Sequence, residues 1–203
     1  MSLIILNRAR RVLTVAVILG QGFLALPLWA EPNVDWDSLR AAYALYTKDP
    51  TDSNASKVCS FLPHDLGYSA PPTARRNHSE TEKFILRGLG VLEGQIFRSK
   101  PNSVALAFRL YTIADGEFAE SLDVTLGKLI CRNPRLFLQQ LKANRHLVAR
   151  LDTLLMNYGP DFTEDDQAQA AEYRHRLKCV RKVRDRELQD IRDECVEFME
   201  ENP

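Results

Sequence analysis

The sequence lacks the short motifs that are typical of well-known metal, redox and nucleotide-binding sites. It has no CxxC pair, no GxGxxG loop and no HExxH helix, so the usual signatures of zinc sites, thioredoxin-type redox centres and dinucleotide binding are missing. No segment shows the sustained apolar–polar alternation, bounded by hairpin turns, that predicts β-strands. The residues therefore indicate fold class and compartment more clearly than any activity.

The chain also lacks an excess of either charge. It holds 27 basic and 27 acidic residues, for a formal net charge of zero, and aromatic residues make up only 8%. Such a balance gives no strong field to attract nucleic acid. We therefore expect no nucleic-acid partner, and the 45% hydrophobic content is that of an ordinary globular protein.

The N-terminal 30 residues have the layout of a secretory signal peptide. Arg8, Arg10 and Arg11 precede an apolar run over 12–28, and Ala30 offers a cleavage site. Cleavage there would leave 24 basic and 27 acidic residues, a net charge of −3. We expect a periplasmic or secreted protein with one α-helical domain over 31–203, an uncleaved membrane anchor being the alternative.

Helix signals follow one another along the rest of the chain. Helices are predicted from about Leu39 to Thr47 and from Ser53 to Pro63. Residues 64–77 contain prolines and a glycine but no apolar periodicity. They are predicted to form an exposed loop that is either functional or mobile.

A helical stripe of apolar residues follows that loop. Ser79-x-x-Glu82 matches a capping box, and apolar residues then recur at spacings of three and four. Three glycines lie within this stretch, and close approach by a neighbouring helix is expected to compensate for their poor helix propensity. The stripe residues are Ile85, Leu89, Leu92 and Ile96, and the glycines are Gly88, Gly90 and Gly94.

Residues 101–158 hold the densest apolar content after residue 30. The helix from Pro101 to Ala114 is apolar on nearly every side, so we expect it to be surrounded by other helices. Asn133-Pro134 is a helix start, with a proline at the first helical position. The whole chain is predicted to be all-α, with about nine short antiparallel helices stacked as an α-solenoid or packed as an irregular bundle.

The C-terminal helix pair resembles one HEAT-type repeat. In that family an acidic turn separates two helices, and the second carries an aliphatic-Arg-x-x-small motif, a pattern that Ile191, Arg192 and Cys195 match here. The resemblance covers roughly the last 25 residues. It implies stacking of helix pairs and carries no implication about activity. Other matching residues are Leu177, Val180, Asp185, Leu188 and Phe198.

Four cysteines permit disulfides in an exported chain. Among the three possible pairings we favour Cys179 with Cys195, because both lie near the turn between the last two helices. The alternative is that all four, including Cys59 and Cys131, are small buried thiols.

Four acids give one candidate for catalysis. Carboxylates at i and i+3 on a helix could serve as the acid–base pair of a hydrolase acting on glycan or peptide. Ordinary stabilisation of a helix N-terminus by acidic residues explains the same pattern. The four acids are Asp115, Glu117, Glu120 and Asp123.

The remaining polar clusters have structural interpretations that we prefer. His64-Asp65 is a pair in a loop. His78, Glu80 and Glu82 straddle a helix start, and the basic run from Arg174 to Arg186 is interleaved with acids, as on a solvated helix face. His146 and His175 stand alone. We therefore predict no catalytic, cofactor-binding or metal-binding residue.

These patterns favour an exported, non-enzymatic helical-repeat domain that binds a protein or a cell-envelope component. The expectation depends on a stack of helices without a convergent catalytic set. The alternative is an exported, carboxylate-dependent hydrolase, which requires a pocket where acids from different helices meet.

Overall fold

The chain is all-helical where its structure is described. The computed structural model describes residues 34–66, 73–162 and 164–202. Within them lie ten α-helices and no strand, which confirms the predicted fold class. The predicted signal peptide, residues 1–30, lies outside the described residues. The helices are α1 (Trp36–Lys48), α2 (Asp52–Cys59), α3 (Arg75–Arg87), α4 (Leu89–Phe97), α5 (Pro101–Leu110), α6 (Gly116–Arg132), α7 (Pro134–Asn144), α8 (Leu151–Met156), α9 (Asp166–Arg181) and α10 (Gln189–Glu201).

Helix α5 lies at the centre of the first half of the molecule. It packs against α2, α4, α6 and α7, and its apolar side chains on several faces are fully buried. The ring of Phe108 lies 6.4 Å from that of Phe137 in α7. The prediction that this helix is surrounded is confirmed. A helix that is apolar on nearly every side can bury its apolar surface only when other helices pack around it.

Helix α6, with 17 residues, organises the second half. It contacts α4, α7, α8 and α9, while α10 closes against α7, α8 and α9. Helices far apart in sequence therefore meet, and the packing is that of an irregular bundle, the second of the two predicted architectures. None of the described helices combines the length and apolar content needed to cross a bilayer.

The predicted capping box at Ser79 is wrong. Helix α3 begins at Arg75, so Ser79 and Glu82 lie inside the helix. An i, i+4 ion pair between Arg76 and Glu80 (2.8 Å) supports this first turn. Glu82 instead accepts a hydrogen bond from the backbone N–H of Asp115 at 3.2 Å. The predicted loop is correspondingly shorter at its C-terminal end, and its residues 67–72 lie outside the described part of the chain.

The predicted single helix after Ser79 is divided at Gly88, where α3 ends and α4 begins. A Cβ at Gly88 would lie 2.8 Å from Cε1 of Tyr43 and 3.0 Å from Cγ2 of Thr47, both in α1. Close approach by a neighbouring helix is confirmed there. It does not explain Gly90 or Gly94, where a Cβ would meet nothing within 4 Å.

Gly88→Ala should lower the free energy of unfolding by about 1–3 kcal/mol, since the buried Tyr43 ring would have to move. Gly94→Ala is the matched control. It lies inside α4 with open space around it and should raise stability by about 0.5–1 kcal/mol. Urea unfolding of both variants measures the difference. Equal effects of the two substitutions would contradict the close approach of α1.

Candidate functional site

Helix α6 distributes the four candidate acids over different surfaces. Residues three and four apart share a helix face, so Glu117 and Glu120 face the same way as Val124, along an open cleft. Asp115 precedes the helix and Asp123 points into the core. The structure therefore brings Glu117 and Glu120 together and separates them from Asp123.

We call the space in front of Glu117 and Glu120 the acidic cleft. It has a volume of about 530 Å³ and lies between α6, the start of α4 and residues 157–160. Carboxylates come from α6 and from Glu93 of α4, whose Oε1 is 3.4 Å from Nζ of Lys128. The lining of the acidic cleft is partly apolar, through Leu89, Val124 and Pro160.

A tight turn after α8 forms one wall of the cleft. Gly159 has φ +89°, a conformation that favours glycine. A Cβ there would lie 3.1 Å from Cγ1 of Val124. The side chain of Asn157 accepts a hydrogen bond from the Gly159 N–H at 3.0 Å, closing an Asx turn. The shape of this wall is thus fixed by local chemistry.

Arg176 of α9 holds that wall from behind. Its side chain is 1% exposed, and its Nη1 donates to the backbone oxygens of Leu155 (2.9 Å) and Asn157 (3.2 Å). Its Nε donates to Glu172 at 2.9 Å, and the guanidinium lies 4.7 Å from the centre of the Tyr158 ring. One buried cation therefore ties α9 to the segment that lines the cleft.

Sequence reasoning missed Arg176 by placing it in a solvated basic run. A Cβ at Gly127 of α6 would lie 2.7 Å from Nη1 of Arg176, so the absence of a side chain makes room for the guanidinium. Arg176 also lies three and four residues before the buried Cys179 and Val180, and this register could have placed it on the inner face.

The rest of the basic run is exposed, as predicted. Lys178, Arg181 and Arg184 face solvent, and Arg181 is paired with Glu200 of α10. Asp185 pairs with Arg135 of α7 at 2.8 Å. Exposed ion pairs of this kind contribute little to stability.

Asp123 is a structural acid and not part of the cleft. It is 5% exposed, and its Oδ1 accepts a hydrogen bond from the hydroxyl of Tyr111 at 2.5 Å. Burial raises its pKa, and hydrogen bonds from Tyr111 and Thr153 oppose that rise. A buried, hydrogen-bonded carboxyl of this kind links α6 to Tyr111 and Thr153.

The raised pKa of Asp123 predicts a pH dependence of stability. Above its ordinary pKa of 3.8, the folded chain retains a proton that the unfolded chain loses, so the stability Asp123 contributes falls as pH rises through its folded pKa. The unfolding free energy of wild type minus that of Asp123→Asn should therefore decline from about pH 4 upward.

Asp152→Asn supplies the opposite control. Hydrogen bonding to Arg150 lowers the pKa of Asp152, so the stability it contributes is lost as pH falls through its folded pKa. Urea unfolding of both variants over a pH series measures the two slopes. Slopes of the same sign would contradict the assignment of Asp123 as a buried acid.

Asp115 meets a different acid in a smaller recess. Glu82 of α3 and Asp115 line a space of about 190 Å³, together with Lys83 and Glu117. The pKa of Glu82 is raised, chiefly by burial and then by the Asp115 carboxylate, while His78 opposes the rise. An acid of α3 and the acid that precedes α6 therefore do converge, although they are not the pair that the i, i+3 spacing suggests.

The histidines occupy structural or exposed positions. Nε2 of His78 lies 2.9 Å from the backbone oxygen of Ile113, and its ring packs 5.2 Å from that of Trp36. Glu80 pairs with Arg76 and Glu82 accepts from the Asp115 N–H, so residues 78, 80 and 82 each have a different partner. His64 and His146 are exposed.

The predicted disulfide between Cys179 and Cys195 is wrong. Cys179 is bonded to Cys131, across the contact of α6 with α9 and with a Cα–Cα distance of 5.2 Å. Cys195 is a free thiol, fully buried in α10. Proximity to one turn was a poor guide because Cys179 faces α6. Burial raises the pKa of Cys195 to about 12 and that of Cys59 to about 11, so both thiols stay protonated and unreactive.

Comparison of the chain with protein-family models, with curated proteins and with solved structures finds no match in any of the three.

Proposed function

We propose that this chain is an exported, non-enzymatic helical domain whose acidic cleft binds a basic segment of a partner protein. The observation that carries the proposal is the convergence of Glu93, Glu117 and Glu120, from two helices, around a partly apolar cleft of about 530 Å³.

The cleft suits an arginine or lysine side chain. The aliphatic stem of such a residue can pack on Leu89 and Val124 while its charged head reaches the carboxylates. Glu117 and Glu120 are exposed, so their carboxylates are accessible to a ligand. Charge-assisted hydrogen bonds from a guanidinium to carboxylates are about twice as strong as neutral ones.

The rigidity of the cleft also favours binding. Its wall is set by the left-handed Gly159, by the Asn157 turn and by Arg176 behind them. A wall already in its bound shape loses little conformational entropy when a ligand arrives.

Selection of a random displayed-peptide library on the full chain tests this proposal. We expect the enriched peptides to combine arginine or lysine with apolar neighbours. For a synthetic peptide made from that set, Glu117→Gln together with Glu120→Gln should weaken binding about tenfold or more, or at least 1.4 kcal/mol. The affinity should also fall as salt is added.

Glu197→Gln is the control, because Glu197 is an exposed acid of α10 away from the cleft. It should leave the affinity unchanged. Enrichment of acidic or uncharged peptides would contradict the proposal. So would binding that responds equally to the cleft variant and to Glu197→Gln.

A carboxylate-dependent hydrolase is the second candidate. One observation favours it, which is the Glu82–Asp115 pair with its raised Glu82 pKa, since paired acids in unlike environments divide acid and base roles. The discriminating measurement is release of fragments from cell-wall glycan by wild type and by Glu82→Gln. Turnover that Glu82→Gln abolishes would favour the hydrolase over the binding role.

A further inference from the structure

The two bonded cysteines have a third metal-binding group beside them. The sulfurs of Cys131 and Cys179 and a ring nitrogen of His175 all lie within 4.8 Å of one another. His175 and Cys179 occupy positions i and i+4 on α9, and Cys131 faces them from α6. This spacing on one helix face, with a third ligand from a facing helix, is how protein metal sites are assembled on helices.

We propose that reduction of the Cys131–Cys179 disulfide converts this cluster into a zinc site with two thiolates and the His175 imidazole as ligands. The inference does not depend on the proposed binding role of the acidic cleft. It assigns a second, redox-dependent use to residues that otherwise cross-link α6 and α9.

The ligand set fits Zn²⁺. Thiolate and imidazole are the ligands that zinc takes in proteins, at about 2.3 Å for sulfur and about 2.0–2.1 Å for nitrogen. Ligand atoms around a tetrahedral zinc are then about 3.4–3.8 Å apart. The two sulfurs separate once their bond is broken, and the imidazole nitrogen, within 4.8 Å of them, needs to approach by about 1 Å at most. His175 is exposed, which gives the ion access and leaves a fourth position for water.

Charge also favours the bound state. Two thiolates and a neutral imidazole cancel the charge of Zn²⁺, so the loaded site carries no net charge. Each thiol loses its proton as the metal binds, and the metal itself compensates the charge of the thiolate.

The conversion balances with an external dithiol as reductant. The dithiol gives two electrons and two protons to the cysteine pair and becomes a disulfide itself, while the Cys131–Cys179 bond breaks to give two thiols. Zinc binding then releases the two thiol protons to water. In the disulfide form neither sulfur is a thiolate, so the site exists only after reduction.

Zinc titration of the untagged full chain tests the proposal. The reduced chain, prepared with a phosphine reductant and freed of metal, should bind one Zn²⁺ in competition with a chromophoric chelator. The oxidised chain should bind no Zn²⁺ at the same concentrations. It is a control with the same sequence as the reduced chain, so no substitution is involved. Cobalt should give the near-ultraviolet thiolate absorption only with the reduced chain.

Two histidine variants separate a three-ligand site from a simple dithiol. His175→Ala should weaken zinc binding by at least about tenfold, whereas His146→Ala, at an exposed histidine elsewhere, should not change it. Circular dichroism of the reduced variants establishes that each is folded. Equal zinc binding by oxidised and reduced chains, or by His175→Ala and wild type, would overturn the proposal.

Discussion

Arg176→Met should lower the free energy of unfolding by about 3–5 kcal/mol, the largest effect we expect from a single substitution. The guanidinium is 1% exposed and donates to Glu172 and to two backbone oxygens. Methionine fills much of the volume but makes none of these hydrogen bonds. The carbonyls of Leu155 and Asn157 would each lose their donor, and unsatisfied buried groups cost about 1–3 kcal/mol apiece.

Arg174→Met is the matched control, since Arg174 is an exposed arginine two residues earlier in the same helix. Its stability should change by less than about 0.5 kcal/mol. Urea unfolding followed by circular dichroism measures both variants. A small, equal effect at the two positions would show that Arg176 is a surface residue and would contradict the buried anchor.

Loss of the disulfide should have the second largest effect. Cys131 and Cys179 are 48 residues apart, and closing a loop of that length removes unfolded-state entropy worth about 4 kcal/mol. The double variant Cys131→Ala/Cys179→Ala should therefore unfold at lower urea than the oxidised wild type. Measuring in the presence of a chelator keeps this effect separate from metal binding.

Cys59→Ala is the control for the double variant, because it replaces a cysteine that is a free thiol and not part of the disulfide.

Peptide mapping tests the pairing itself. Without reductant it should recover the fragment that joins Cys131 to Cys179, and after unfolding it should show alkylation at Cys59 and Cys195. A fragment joining Cys179 to Cys195, or a double variant as stable as the oxidised wild type, would contradict the observed pairing.

Local patterns in the sequence predicted the elements better than their partners. The helix predicted over 101–114, which is observed as Pro101–Leu110, could be predicted from neighbouring residues alone. So could the Asn133 cap, which accepts a hydrogen bond from the Leu136 N–H. The end of α3 at Arg87, next to Gly88, could not be predicted in this way. It coincides with the close approach of Tyr43 in α1, which is distant in sequence.

The candidate functional site shows the same difference between features that depend on neighbouring residues and features that depend on distant contacts. Glu117 and Glu120 could be singled out because they lie on one helix face. Glu93 and the Asn157 turn could not, since their place in the cleft depends on how α4 and α8 approach α6. Arg176 was hidden by its charge, which usually indicates an exposed residue. The predicted pairing of Cys179 with Cys195 was wrong because Cys179 faces α6, where it is bonded to Cys131.

The most direct test of the proposed function is NMR mapping of a selected basic peptide on the isotope-labelled chain. We predict that the amide shifts that change most on titration belong to Glu93, Ser121 and Gly159, which line the acidic cleft. The Glu117→Gln/Glu120→Gln variant should abolish those changes at the same peptide concentration. Shifts centred on the exposed face of α10, with the cleft amides unmoved, would contradict the account.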